Sequence, residues 1–133
     1  MLCALDTNSC IDLLRGRSKR LAGRVLELTP AQVCVPSLVY AELLLAAELS
    51  ADPPHNRRFV DQLVAPLRML SFDPAAATVY ASIRAHLQAS GQLIGPNDLI
   101  IAATAVAHHA LLVSANVREF RRVPGLRVED WTQ

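Results

Sequence analysis

Acidic side chains in unusual surroundings are the groups of this 133-residue chain that could do chemistry. In a helix, an ionised Glu42 would be flanked three and four positions away by apolar residues only. Such a carboxylate is costly to desolvate unless a cation, strong hydrogen-bond donors or a proton compensates its charge. Glu42 therefore either reaches solvent at the edge of an apolar stripe or faces a charged site. Its apolar helical neighbours are Leu38, Val39, Leu45 and Ala46.

Three more polar residues lie where local structure alone could explain them. Asp6 directly follows an apolar run and is well placed to cap a helix. Asp98 falls in the first turn of a predicted helix, where the helix dipole favours an anion. Asn116 follows a second apolar run and is most simply a turn or capping residue, with Glu119 one helical turn later.

Considered together, these residues point to one site. Asp6 and Asn116 each follow a predicted strand, and the helix that carries Glu42 begins just after another. The carboxyl ends of parallel strands meet at one edge of a sheet, which is where ligands bind. Clustered carboxylates repel one another unless a cation is present. Oxygen ligands without a suitable set of His or Cys select hard ions, so the predicted cofactor is Mg²⁺ or Mn²⁺.

The elements that must position these residues are short apolar strands separated by helices. That alternation predicts a parallel sheet covered on both faces, within a single domain that spans residues 1–133. Ser37 is predicted to cap the helix of Glu42, and residues 50–55 form the clearest loop. The predicted strands are 2–5, 32–35, 68–72, 111–114 and 127–131. The first predicted helix ends near Gly16. The other predicted helices span 20–28, 38–49, 56–67, 74–90 and 97–109.

Composition favours a compact fold and argues against disulfide-linked, secreted and membrane-spanning proteins. Hydrophobic residues make up 52% of the chain and charged residues 19%, with a net charge of +1. The three cysteines, Cys3, Cys10 and Cys34, form no CxxC pair and are expected to be buried free thiols in a reducing compartment. No apolar run reaches membrane-spanning length and no secretory leader is evident, so we expect a cytoplasmic protein without a membrane partner.

Basic residues are clustered although the net charge is small. Five lie between Arg15 and Arg24, and four lie between Arg118 and Arg127. Such clusters are compatible with a phosphate-rich partner, but solvated helix faces explain them equally well.

Four segments together resemble a known family. They are Leu5-Asp6-Thr7-Asn8, Ser37 to Leu43 with Glu42, Gly95-Pro96-Asn97-Asp98-x-x-Ile101-Ala102, and Ser114-Ala115-Asn116-x-x-Glu119-Phe120. In this order, and with the tail from Val123 to Trp131, they resemble the PIN-domain nucleases. More closely, they resemble the VapC-like toxins of type II toxin–antitoxin pairs.

The resemblance implies a three-layer α/β/α sandwich around a small, mostly parallel sheet. It also implies an Mg²⁺- or Mn²⁺-dependent endoribonuclease that is held inactive by a cognate VapB-like antitoxin and is usually a homodimer. Asp6, Glu42 and Asp98 match the three acids that bind metal in the family. Asn116 occupies the position of a fourth acid, and Glu119 is the nearest carboxylate that could replace it.

Under this hypothesis a metal-activated water hydrolyses an RNA phosphodiester, leaving 5′-phosphate and 3′-hydroxyl ends. Only 5% of the residues are aromatic, so we expect recognition of a structured RNA, such as a tRNA, more than stacking on a single strand. Candidate RNA contacts, which would position the backbone without reading sequence, are Thr7, Asn8, Arg15, Arg17, Arg118 and Arg121.

Two other readings remain open. A catalytically weak RNA-binding or antitoxin-binding module on the same fold would fit the amide at Asn116. An aspartyl phosphatase of the haloacid-dehalogenase type would use Asp6 as its nucleophile, but it normally carries a second acid where this chain has Asn8. A receiver-like domain is disfavoured because it normally needs a lysine at a late strand end, and the only lysine here is Lys19.

Overall fold

A computed structural model describes all residues from Met1 to Gln133. Five strands form one sheet in the order β3-β2-β1-β4-β5, and every neighbouring pair is parallel. The expected three-layer α/β/α fold around a small parallel sheet is confirmed. The strands are β1 (Cys3–Leu5), β2 (Val33–Pro36), β3 (Arg68–Leu70), β4 (Leu111–Val113) and β5 (Val128–Glu129).

Seven helices cover this sheet, and a short 3₁₀ turn at Pro30–Gln32 leads into β2. Helices α5 and α6 pack against each other, as do α3 and α4, while α6 also contacts β2 and β4. The helices are α1 (Thr7–Arg15), α2 (Lys19–Leu26), α3 (Ser37–Glu48), α4 (Pro53–Val64), α5 (Pro74–Ala89), α6 (Pro96–Ala107) and α7 (Val117–Phe120).

The core lies on both faces of the three central strands. Every residue of β1, β2 and β4 is buried, which is the pattern of a parallel sheet covered on each side. Small residues of α6, including Ala102 and Ala105, are fully buried and belong to the same core cluster. The three cysteines are buried and unpaired, as the sequence predicted.

Strand register places the polar residues at one edge of the sheet. Leu5 of β1 pairs with Val113 of β4, and the Asp6 N–H donates to the Val113 carbonyl at 3.2 Å. Asp6 and Ser114 therefore leave the sheet side by side. Gly16 ends α1 with φ of +63°, a left-handed conformation that glycine adopts without strain.

Two local predictions were wrong. Ser37 does not cap α3: Pro36 occupies the N-cap position, and the Ser37 hydroxyl accepts the Phe72 N–H at 3.3 Å. Residues 53–55 are not loop, because Asp52 caps α4 and Pro53 takes the first helical position. A proline is well suited to that position, since its missing N–H would have no partner within the helix.

None of the helices is long and apolar enough to cross a membrane.

Candidate active site

Asp6 is the most buried acid of the chain. Only 6% of its surface is exposed, and it occupies the N-cap position of α1. Its Oδ1 accepts the Ser9 N–H at 2.8 Å. The capping role considered from the sequence is therefore real, and one carboxylate oxygen is committed to it.

Glu42 is half-buried, and both of its oxygens are hydrogen-bonded to other helices. The Thr7 hydroxyl, at the start of α1, donates to Oε1 at 2.6 Å. The Asn97 side-chain amide, at the start of α6, donates to Oε2 at 3.3 Å. Glu42 therefore faces a polar site formed by the beginnings of two helices, rather than the solvent edge of an apolar stripe.

Asp98 lies in the first turn of α6, close to the other acids. Partial burial raises the pKa of its carboxyl above the usual range, and the negative charges of Glu119, Asp6 and Glu42 raise it further. The structure thus brings the other three carboxylates within electrostatic reach of Asp98. Of these three negative charges, that of Glu119 raises the pKa of Asp98 the most, so Glu119 belongs to the cluster.

Asn116 contacts this cluster through Glu119. It occupies the N-cap position of α7 without making a capping bond through its side chain. Instead its Nδ2 donates to Glu119 Oε2 at 3.1 Å, and its backbone N–H donates to Ser114 Oγ at 2.9 Å. The amide therefore orients the carboxylate that stands one turn later in α7.

No basic side chain neutralises the four acids. The four ion pairs of the structure all lie elsewhere, at Asp12, Glu129, Asp61 and Asp73. Oxygen donors and uncompensated negative charge together fit a hard divalent cation.

The acids do not, however, form a ready-made cage. No three His, Cys, Asp or Glu side chains converge as a group able to hold a metal ion. Oxygens of Asp6 and Glu42 accept hydrogen bonds from Ser9, Thr7 and Asn97. Each carboxylate oxygen has a second lone pair, so these bonds are compatible with an ion on the other side.

The candidate RNA contacts fall into different surroundings. The Thr7 hydroxyl is engaged with Glu42, so its role here is orientation of that acid. Arg17 lies 3.8 Å from Asp12 in an exposed ion pair. Asn8, Arg118 and Arg121 are exposed, the last two in and just after α7, on the segment that carries Glu119.

Arg15 lies at a second feature, an apolar groove between α1, α3 and α4. The groove has a volume of about 270 Å³. Its lining includes Leu14, Leu43, Phe59 and Val60, and none of the clustered acids contributes to it. Arg15 is therefore grouped with a hydrophobic surface and not with the candidate nuclease site.

Comparison with known proteins identifies the family. The PIN-domain family model matches residues 3–126. A protein of Salmonella typhimurium named tRNA(fMet)-specific endonuclease VapC is 36% identical over 127 residues, which cover 96% of each chain. A Shigella flexneri protein of the same name is 38% identical over 128 residues, again 96% of each chain. This chain belongs to the VapC family of PIN-domain ribonucleases.

A solved structure agrees with this assignment. The crystal structure of DNA-bound VapBC from Salmonella typhimurium contains a chain that superposes with a TM-score of 0.92 and 36% identity. The match covers 98% of this VapC-family chain and 99% of that one. Both the fold and the family resemblance inferred from the four segments are confirmed.

Sequence reasoning missed how Glu42 is held. The sequence placed Asn97 in the segment that begins α6 and made Thr7 a candidate RNA contact, but it paired neither residue with Glu42. A usable signal did exist for both. Thr7 directly follows Asp6 and Asn97 directly precedes Asp98, so each donor stands next to an acid of the cluster.

Proposed function

We propose that this VapC-family chain is the toxin of a toxin–antitoxin pair and hydrolyses RNA in an Mg²⁺- or Mn²⁺-dependent reaction. The observation that carries the proposal is the cluster of Asp6, Glu42, Asp98 and Glu119 at one edge of the sheet, with no basic side chain to neutralise it. Unpaired, partly buried acids of this kind are typical of a metal-dependent site.

In this proposal Asp6, Asp98 and Glu42 hold the ion, and Glu119 adds negative charge beside it. The ion supplies activation of water and offsets charge on the scissile phosphate. The protein contributes the orientation of its ligands: the cap at Ser9 holds Asp6, and Thr7 and Asn97 hold Glu42. Asn116 holds Glu119 in the same way.

Arg118 and Arg121 are the proposed contacts to the RNA backbone. Both are exposed on the segment that carries Glu119, so a phosphate beside the acids would be within their reach. Contacts of this type position RNA without reading its sequence. Their positive charge also reduces the repulsion between the acidic cluster and the polyanionic substrate.

The proposed substrate is a structured RNA, specifically a tRNA. The relatives from Salmonella typhimurium and Shigella flexneri carry the name tRNA(fMet)-specific endonuclease, and they align with nearly the whole chain. The low aromatic content agrees with recognition of a folded shape. The initiator tRNA is therefore the first substrate to test.

We also propose that a VapB-like antitoxin binds the apolar groove between α1, α3 and α4. Three features support this site: its apolar lining, the exposed Phe59 at 48%, and Arg15 as a charged contact within it. Related solved structures are complexes of the VapBC type. A homodimer is proposed from the family resemblance alone, and a cytoplasmic location is proposed because the three cysteines are buried and unpaired.

The function is tested by cleavage of purified initiator tRNA with and without Mn²⁺, after removal of any antitoxin. Wild-type protein should cut only with the ion, and Asp6→Asn should abolish cleavage while remaining folded, because asparagine caps a helix as well as aspartate does. Asp73→Asn is the matched control, since Asp73 caps α5 through the Ala76 N–H at 2.9 Å. Metal-independent cleavage, or full activity of Asp6→Asn, would exclude the proposed site.

Absence of cleavage by wild-type protein under all conditions would favour the weak RNA-binding or antitoxin-binding module instead. A direct binding measurement with the same tRNA would then show whether the module binds RNA or only the antitoxin.

A further inference from the structure

We propose that Asn97 is a positioning residue of the nuclease site, acting with Thr7 to hold both carboxylate oxygens of Glu42 in the orientation that the metal ion requires. The inference rests on the proposed metal-dependent function and assigns a role to a residue outside the acidic set. We call Thr7 and Asn97 together the Glu42 clamp.

The geometry of the clamp is complementary. Thr7 Oγ1 lies 2.6 Å from Oε1, and Asn97 Nδ2 lies 3.3 Å from Oε2, so each donor takes a different oxygen. The donors come from positions 35 and 55 residues away in sequence. Two hydrogen bonds, one to each oxygen, restrict rotation of the carboxylate about its terminal bond more than either bond would alone.

Glu42 needs such donors more than the other acids do. It lies in the second turn of α3, and its helical neighbours are apolar. It also forms no ion pair in the structure. Hydrogen bonds to a charged acceptor are stronger than those between neutral groups, so the clamp is the main compensation for this charge when no cation is bound.

Asn97 has a further property that Thr7 lacks. It directly precedes Asp98 in the first turn of α6, so one short segment carries both a proposed ligand and the group that orients another. Any displacement of the beginning of α6 would therefore move Asp98 and Glu42 together. Side chains that orient metal ligands commonly contribute tenfold or more to metal affinity or activity.

The test is Asn97→Ala, compared with Gln88→Ala as an exposed amide control on α5. Mn²⁺ binding to the metal-free protein, followed by calorimetry, should weaken by about tenfold in Asn97→Ala and stay unchanged in Gln88→Ala. In cleavage of initiator tRNA, kcat should fall while KM for the RNA stays constant, because Asn97 acts on the acid and not on the substrate.

Thr7 provides the rescue experiment. Thr7→Val keeps the shape but removes the donor and should weaken Mn²⁺ binding, whereas Thr7→Ser keeps the hydroxyl and should restore most of it. A purely structural role of the threonine methyl group would give the opposite order, and that order would overturn the clamp.

A double-mutant comparison decides whether Asn97 acts through Glu42. In a Glu42→Gln background, Asn97→Ala should cause little further loss of Mn²⁺ affinity. An equal loss in both backgrounds would refute the proposal, as would wild-type affinity in Asn97→Ala. If Glu42→Gln and Asp98→Asn themselves bind Mn²⁺ like wild type, the proposed function fails instead, so the two failures are distinguishable.

Discussion

Neutralising Asp98 should stabilise the metal-free protein and destroy its response to metal. Asp98 is partly buried, and burial together with the charges of Glu119, Asp6 and Glu42 raises the pKa of its carboxyl. It makes no hydrogen bond that asparagine would lose, because no donor to its carboxylate is present in the structure. The substitution Asp98→Asn therefore removes repulsion at little structural cost.

The magnitude follows from two opposing effects. Substitutions that relieve unfavourable charge at a partly exposed position commonly stabilise a protein by about 0.5–2 kcal/mol. The dipole of α6 favours an anion in its first turn by roughly 0.3–1 kcal/mol, and that contribution is lost. The midpoints of these ranges leave a net gain of about 0.6 kcal/mol. For a chain of this length that gain corresponds to a rise of about 2 °C in melting temperature.

Addition of Mn²⁺ should reverse the order of the two melting temperatures. At a free concentration of about 100 Kd, an ion that binds only the folded wild-type protein stabilises it by roughly 2.7 kcal/mol, or about 10 °C. Asp98→Asn lacks a ligand and should gain far less. Wild type should thus melt below the variant in EDTA and above it in Mn²⁺.

The assay is a thermal melt followed by circular dichroism, in EDTA and across a Mn²⁺ titration. Asp52→Asn is the control, because Asp52 caps α4 outside the cluster and asparagine preserves a cap. A melting temperature of Asp98→Asn at or below wild type in EDTA would refute the picture of accumulated, uncompensated charge. Equal stabilisation of both proteins by Mn²⁺ would remove Asp98 from the ligand set.

Three other predictions follow from the same contacts. Asn116→Asp adds a negative charge beside Glu119, so it should bind Mn²⁺ more tightly in calorimetry and have a lower melting temperature in EDTA. Unchanged Mn²⁺ affinity would place residue 116 outside the site. Phe59→Asp should weaken antitoxin binding at least tenfold, whereas Leu26→Asp should not, because Leu26 is 83% exposed and does not line the groove. Equal effects of the two substitutions would argue against the groove as the docking site. Gly16→Ala should lower the free energy of unfolding in urea by about 1 kcal/mol, because φ is +63° there, and no loss would mean that α1 can end differently.

The fold could be predicted because its signals are local and repeated. Each buried strand is a short apolar run, and the runs alternate with helical patterns, which leaves a parallel sheet as the natural arrangement. Asp6 and Asn116 could be assigned to one edge since both follow such runs. The pairing of Leu5 with Val113 and the bond from the Asp6 N–H to the Val113 carbonyl show that β1 and β4 end at the same edge, three residues before Asn116.

The remaining details depend on contacts that a sequence pattern does not contain. Ser37 has the residue type of a cap, yet its hydroxyl accepts a bond from Phe72, 35 residues away. The prolines at 53 and 54 suggested a loop, although proline also suits a first helical turn, and the Asp52 cap decides between the two. Arg15 belongs to a basic cluster in sequence but lies at the apolar groove in space.

The way the acids are held differs according to where each lies in its helix. Asp6 caps α1 and Asp98 lies in the first turn of α6, so helix dipoles and free backbone N–H groups favour their charges. Glu42 lies within α3, where neither contribution is available. The fold supplies side-chain donors to this acid instead, and takes them from Thr7 and Asn97, residues adjacent to the other two acids. Each helix beginning therefore serves two acids, its own and Glu42, which explains how a carboxylate in the second turn of α3 is kept among apolar helical neighbours without a basic partner.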